Sequence, residues 1–288
     1  MELGPMAAAS FTVSFGGNSV TLTCEDPPTC ALLRQHLRHC LGSAGPAVAR
    51  YRLVVERGQS FRLERDGRPV ACAEHLPWVI LHLMQELTGI LAAHCRQQLV
   101  FHAAGVARAA GGLVLCGGTA SGKSTLAARL TALGYDFLTD ELAGISPAGD
   151  RMAGFPRPLH LKPGSLFVVG GRLPEQAHPA LTALDDGSIL LDAEALGGGK
   201  VIPSAIPRAL IFPQYAPGAA FAAEPLTAAD AAFRLMHGLV NAGNLAERGF
   251  RHAVMLARTL RAYRMAYCNV DQAAEWIGLE TARGSAPP

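Results

Sequence analysis

Between residues 10 and 23, apolar side chains alternate with polar ones at Phe11, Val13 and Phe15, then at Val20 and Leu22, around Gly16-Gly17-Asn18. A period of two predicts a pair of half-buried strands joined by a tight turn. Pro27-Pro28-Thr29 then opens a short helix over about 30–41, and two strand pieces over 51–56 and 60–64 close at the turn Asp66-Gly67. From residue 77 to about 95 the period changes. Val79, Ile80, Leu83, Met84, Leu87, Ile90 and Leu91 recur at helical spacing, so one face of a helix packs on a core. Residues 1–97 thus read as a small α+β module without a catalytic signature.

From residue 98 the pattern is that of an α/β domain. A strand over 99–107 and a turn at Ala109-Ala110-Gly111-Gly112 lead into a short apolar strand at 113–116. Gly117-Gly118-Thr119-Ala120-Ser121-Gly122-Lys123-Ser124 follows, with Thr125 continuing into a helix over 124–133. This fits G-x-x-x-x-G-K-[ST], the phosphate-binding P-loop, with a strand before it and a helix after it. The glycines let successive N–H groups turn inward toward phosphate oxygens, and the helix adds the positive end of its dipole. Lys123 is placed to reach the β- and γ-phosphates, and the Ser124 hydroxyl to ligate Mg²⁺. The pattern predicts binding of a nucleoside triphosphate. Beyond Gly134, a strand over 135–139 ends in Asp140-Glu141. Residues 163–199, rich in Gly, Pro and Ala, are expected to be partly mobile. A buried strand at 209–212 and helices over 228–240, 245–263 and 271–278 complete an α/β domain spanning 98–288.

Composition narrows the reading further. Half of the 288 residues are hydrophobic and 17% are charged, enough for a sizeable core. A net charge of +2 carries no electrostatic footprint for nucleic acid. No apolar run reaches the length of a membrane span, and Met1-Glu2-Leu3-Gly4-Pro5 lacks the basic and apolar regions of a signal peptide. Seven cysteines in irregular spacing argue against a disulfide framework. Cys24, Cys30, His36, His39 and Cys40 contain no C-x₂-C pair, so no zinc site is expected there. The expected location is a reducing cytoplasm. Among 25 Lys+Arg, only Lys123, Lys162 and Lys200 are lysines. In so arginine-rich a chain, a retained lysine marks a position that calls for a compact ammonium. Lys162 therefore joins Arg157 as a candidate phosphate ligand. The prolines of Phe155-Pro156-Arg157-Pro158 are expected to stiffen the segment so that both cations point one way.

Only 16 residues separate Lys123 from Asp140, so the chain makes one helix and returns as a neighbouring strand. A carboxylate pair at that strand end would face the γ-phosphate. One member can hold Mg²⁺ while the other accepts a proton from an incoming hydroxyl. No Leu-Ser-Gly-Gly-Gln-like signature and no Asn-Lys-x-Asp guanine-reading motif is present. His102, in an otherwise apolar strand, reads by itself as a hydrogen-bonded core histidine.

The stretch from Phe101 to Ile145 resembles the catalytic domain of the HPr kinase/phosphorylase family. The matching parts are His102-Ala103-Ala104-Gly105-Val106, Gly111-Gly112, the apolar strand, the P-loop and Asp140-Glu141. It is similar, more closely, to divergent HPr-kinase-like proteins of bacterial biosynthetic clusters, lasso-peptide kinases among them. Phe155-Pro156-Arg157-Pro158, Leu161-Lys162 and Pro207-Arg208-Ala209-Leu210-Ile211-Phe212-Pro213 fit that branch. The resemblance implies a P-loop kinase domain of the HPr kinase/PEP carboxykinase-like type, with His102 near the acid pair. It implies Asp140 as catalytic base, Glu141 beside it assisting Mg²⁺ or the positioning of the base, and a tendency to form homo-oligomers. The second acid is Glu141 where the family has Asp, and no Arg-Pro-Gly-Arg-Asn-like segment follows, so HPr itself is not the expected acceptor.

The leading expectation is a kinase that uses ATP and Mg²⁺ to phosphorylate a hydroxyl, a serine of a peptide or protein, with no nucleic-acid or membrane partner. Two other readings stand beside it. One is a small-molecule kinase of the shikimate or gluconate type. The other is a nucleotide-gated binding module without turnover. Arg248, Arg251 and Arg258 fall on one face of the helix expected over 245–263, as a solvated surface or a contact for an acidic peptide.

Overall fold

Two strands, β1 (Ala9–Phe15) and β2 (Asn18–Cys24), form the expected antiparallel hairpin in the computed structural model, which describes residues 9–56, 60–109, 111–167 and 180–283. Phe15 pairs directly with Asn18, leaving Gly16 and Gly17 as a two-residue turn, both at positive φ. Helix α1 (Pro27–His36) begins where the Asp26 carboxylate accepts a hydrogen bond from the Thr29 N–H. It ends five residues before the predicted limit, giving way to a 3₁₀ turn at Arg38–Cys40. Strands β3 (Ala47–Val55), β4 (Phe61–Arg65) and β5 (Arg68–Ala73) complete a five-stranded sheet in the order β1-β2-β3-β4-β5. The edge strand β5 escapes a periodicity reading because its outer positions are exposed and its apolar contrast is weak. Helix α2 (Leu76–His94) lays Val79, Ile80, Leu83, Met84, Leu87 and Leu91 on this sheet. It is also long and apolar enough, by length and composition, to cross a membrane.

The second half is built on β6 (Leu99–Arg108) and β7 (Gly111–Cys116), an antiparallel pair. Helix α3 (Lys123–Ala132) follows, then β8 (Asp136–Thr139), β9 (Leu142–Ile145), β10 (Met152–Gly154) and β11 (Leu159–Leu161). Next come the short helix α4 (Pro163–Leu166), β12 (Leu181–Ala183), β13 (Ile189–Leu191), β14 (Ser204–Ala205), β15 (Pro207–Tyr215) and β16 (Ala222–Pro225). Helices α5 (Ala228–Gly238) and α6 (Phe250–Thr259), strand β17 (Arg261–Tyr267) and helix α7 (Val270–Arg283) end the chain. The main sheet runs β16-β17-β15-β7-β6, with β8 and β9 both on the far edge of β6 and β10 and β14 beyond β9.

Strands β7, β15 and β17 are parallel, and the apolar parts of β7 and β15 are covered on both faces. Leu113, Leu115, Ala209 and Ile211 face α3 and α7, while Val114, Cys116, Leu210 and Phe212 face α5 and α6. That double burial is why β7 and residues 209–212 of β15 read as unbroken apolar runs, whereas β17, with Arg261 and Arg264 exposed, does not.

One expectation is corrected. The helix expected over 245–263 is broken. Glu247 and Arg248 hold positive φ, α6 covers only Phe250–Thr259, and residues from Arg261 onward pair with β15 as β17. Arg248 is thereby off the helix, and Arg251 pairs with Glu247. Arg, Ala, Leu and Met favour a helix, but the open edge of β15 outweighs that weak preference. The described part of 163–199 holds α4, β12, β13 and a 3₁₀ turn, with β11-β13-β12 forming a small antiparallel sheet. Residues 168–179 lie outside the described residues.

The two halves share a core. Val100, Leu142, Phe155, Leu184 and Leu190 belong to the same apolar cluster as the first sheet, and the Phe15 and Phe155 rings meet edge to face at 6.1 Å. Arg38 forks onto Asp192 and Glu194, at 2.9 Å to each. It thereby already places a cation among His39, Asp192 and Glu194, whose ligand atoms lie within 4.8 Å of one another. Buried Asn241 accepts from the Val100 N–H and donates to the Cys95 and Gln98 carbonyls, stapling the start of β6 to the segment after α5. Asn241→Ala strands the Val100 N–H and removes one donor from each of the two carbonyls, and is expected to cost about 2 kcal/mol in chemical denaturation. A loss under about 1 kcal/mol would mean that Asn244, which also donates to the Cys95 carbonyl, suffices alone.

Candidate active site

The loop Gly117–Gly122 leaves the C-terminal end of β7 and enters α3, whose N-cap is Gly122 at φ 92°. Only glycine fits there. A Cβ would lie 2.2 Å from the Tyr267 hydroxyl, whose O–H donates to the Gly122 carbonyl. Ala120 is also left-handed, at φ 63°, a conformation that costs a non-glycine residue about 1 kcal/mol and is found at ligand-holding turns. Gly118, Thr119 and Ala120 are exposed at the crest of the loop, and Ser124 is half-buried in the first helical turn. The Lys123 side chain folds beneath the loop, 6% exposed, and its ammonium donates to the carbonyls of Gly117 (2.6 Å) and Gly118 (2.8 Å). Burial lowers its pKa, against the opposing charges of Glu141 and, more weakly, Asp140. The P-loop lysine and the acid pair therefore share one electrostatic field. Thr125 meets the Ser165 hydroxyl at 2.9 Å, which sets α4 against the loop helix.

The acid pair occupies a break in one long edge. β8 pairs with β6 at residues 105–107, and β9 resumes the pairing at residues 99–102. Asp140 and Glu141 lie in the gap between the two ladders, opposite Ala104 and Ala103, with the register unchanged across them; the register shift of this edge falls earlier, at Leu138. The Glu141 carbonyl still accepts from the Ala103 N–H. Buried Thr139 fixes the turn: its hydroxyl donates to the Phe155 carbonyl and accepts from the N–H groups of Glu141 and Leu142. Sequence reading treats Thr139 as the last residue of a strand, and only the three-dimensional turn reveals its work. The expectation of a strand directly beside the P-loop strand is also corrected. β6 stands between β7 and β8, and because His102 precedes the Ala103–Cys116 pair it projects next to the loop mouth.

Around the pair, charges are sorted. His102 Nε2 lies 3.2 Å from Glu141 Oε2, and Arg157 Nη2 lies 2.7 Å from Glu141 Oε1. Burial alone would raise Glu141, but the His102 hydrogen bond and the Arg157 guanidinium outweigh it and hold this carboxyl well below its usual range. Asp140, 1% exposed, is the opposite case. Burial pushes it up to about 6, because Arg157 only partly compensates, with Nε 4.0 Å from Oδ1, and Glu141 adds like charge. Neither Asp140 oxygen has a hydrogen-bond partner, and neither do Nε and Nη1 of Arg157 or the buried Ser121 hydroxyl.

Those orphaned groups test the fit to a nucleotide and a hard cation. Uncompensated buried oxygens and guanidinium N–H groups beside a glycine cradle match phosphate oxygens and Mg²⁺, which takes carboxylate or hydroxyl oxygen with its phosphates. The residues fit. They change one assignment, however: both Glu141 oxygens are engaged, so Asp140 is the carboxylate of the pair with free lone pairs. Lys162 and Arg157 also part company. Arg157, 4% exposed, is drawn inward by the acid pair, whereas Lys162 is exposed at the start of α4. Strand β11 separates them, and the two cations do not share one environment. Two aromatic residues beside the loop carry no sequence signal of their own: Tyr215 and Tyr267 end β15 and β17 opposite each other.

No family model and no curated protein matches the sequence. Among solved structures, the chain is similar to the HPr(Ser) kinase/phosphatase from Coxiella burnetii at a TM-score of 0.33 and 9% identity. That match covers 65% of this chain and 99% of the other. A likeness this distant assigns neither a family nor an activity.

Proposed function

We propose that the chain is an ATP- and Mg²⁺-dependent kinase that phosphorylates a hydroxyl, a serine of a peptide or protein, in the reducing cytoplasm. The observation that carries the reading is Asp140: a buried carboxylate without a hydrogen-bond partner, held in the gap between β8 and β9 within the electrostatic reach of Lys123. Residues 117–125 would cradle the phosphates, with Lys123 neutralising β- and γ-oxygens and Ser124 offering its hydroxyl to Mg²⁺. Bound Mg²⁺ would supply charge neutralisation between the β- and γ-phosphates. Asp140 would take the proton of the acceptor hydroxyl. A base whose pKa lies near the working pH is well matched to that task. His102 and Arg157 would keep Glu141 ionised and aligned, and Arg157 Nε and Nη1 would remain free for a phosphoryl oxygen. Residues 1–97 serve in this reading as a module that supports the catalytic half, 98–288.

The test is incubation with γ-labelled ATP and Mg²⁺ alongside serine peptides and small hydroxy acids or polyols. Label on peptide serine is expected. Label on a small hydroxy compound alone would replace the acceptor, and tight nucleotide binding without transfer to any acceptor would replace the kinase reading with that of a binding module.

A further inference from the structure

The acid pair and the aromatic pair flank the P-loop on opposite sides. Asp140 and Glu141 sit beyond β6, while Tyr215 and Tyr267 end the two parallel strands on the other side of β7. A triphosphate whose terminal group meets Asp140 must run back along the loop and deliver its nucleoside above the ends of β15 and β17, where ligands of parallel α/β sheets gather. Tyr215 stands there. It is 45% exposed, yet it is fixed from two directions. Its backbone N–H donates to the Ser121 carbonyl at 3.1 Å, tying it to the loop itself. Its ring packs edge to face on the buried Tyr267 ring, with centroids 5.9 Å apart at 65°. The missing Gly122 side chain leaves room for this approach, since a Cβ there would sit 3.1 Å from the Tyr215 Cβ. A large aromatic residue that is anchored but open to solvent is an orphan in packing terms. It gains nothing for the core, and its orientation has already been fixed.

We propose that Tyr215 is the platform on which the nucleobase stacks, an inference that rests on the nucleotide-binding reading above. Stacking on a fixed ring costs little ordering on binding. It is also tolerant of base identity, because every base presents a π-face. The site should therefore accept adenine and guanine nucleotides with similar affinity.

Calorimetric titration with Mg·ATP, Mg·GTP and Mg·tripolyphosphate, which lacks a base, tests this. Tyr215→Ala is expected to weaken both nucleotides by about tenfold or more, the usual worth of an aromatic stacking partner, and Tyr215→Phe to preserve them. Tripolyphosphate should bind wild type and both variants alike. Unchanged nucleotide affinity in Tyr215→Ala would overturn the platform while leaving the P-loop reading intact. Equal loss of tripolyphosphate would also overturn it, by showing that Tyr215 only supports the loop. Should the wild-type protein bind none of the three, the nucleotide reading and this inference fall together.

Discussion

Lys123→Ala is expected to remove phosphoryl transfer, with a fall of about 10³-fold or more, while the fold survives. The magnitude follows from the role: a fixed cation at the β- and γ-phosphates acts in a water-poor site where charge is weakly screened. Arg157 cannot substitute. It is already committed to Glu141 and lies on the acid side of the loop. Lys123→Arg should fail nearly as badly, because the space beneath the loop holds a compact ammonium donating to the Gly117 and Gly118 carbonyls, and a planar guanidinium does not fit that geometry. The measurements are labelled-ATP turnover and thermal melting of each variant. Near wild-type turnover in Lys123→Ala would refute the P-loop reading. A collapsed melting temperature would show instead that the lysine holds the loop together.

Asp140→Asn is expected to slow transfer by about 10² or more, with nucleotide affinity changed only a few-fold. The wild-type rate should climb as pH passes about 6, the value to which burial lifts this carboxyl, and the variant should lack that step. Stability should move the other way. A carboxyl whose native pKa is raised favours folding while it is protonated. That contribution is complete below its ordinary value of 3.8 and is lost as pH rises through the native value. Wild type should therefore lose stability relative to the variant between those limits, measured as the difference in melting temperature across a pH series. If nucleotide binding falls as steeply as turnover, Asp140 is chiefly a cation ligand and the base lies elsewhere.

The strand, glycine loop and helix over residues 113–132 are legible because their information is local: a glycine spacing between a short apolar run and a helical one. The first hairpin and α2 were legible for a similar reason, since one buried face writes a period into the chain. Asp140 and Glu141 could be picked out as residues but not placed. Their position depends on how β8 and β9 share the edge of β6, a pairing that no run of ten residues encodes. β17 was hidden by helix-favouring residues that a neighbouring strand overrides. The scarcity of lysine drew attention to Lys162, but composition says nothing about direction, and the side chain is exposed. Arg157 was singled out as a phosphate cation, whereas its orientation toward the acid pair follows from contacts around Phe155 that no local pattern reveals.

Phe155 has a consequence for how the protein can be divided. Its ring rests on Phe15 in the first hairpin, and its carbonyl receives both the Thr139 hydroxyl and the Arg157 N–H. A single residue thus joins the wall of the first sheet to the turn that aims Asp140 and to the cation that steadies Glu141. Cutting the chain before β6 would leave the P-loop whole and bare the back of this junction to water. On the function proposed above, such a fragment would keep phosphate binding and lose the support of the turn that carries Asp140. The first hairpin is thereby linked, through one ring and one carbonyl, to the turn that carries Asp140.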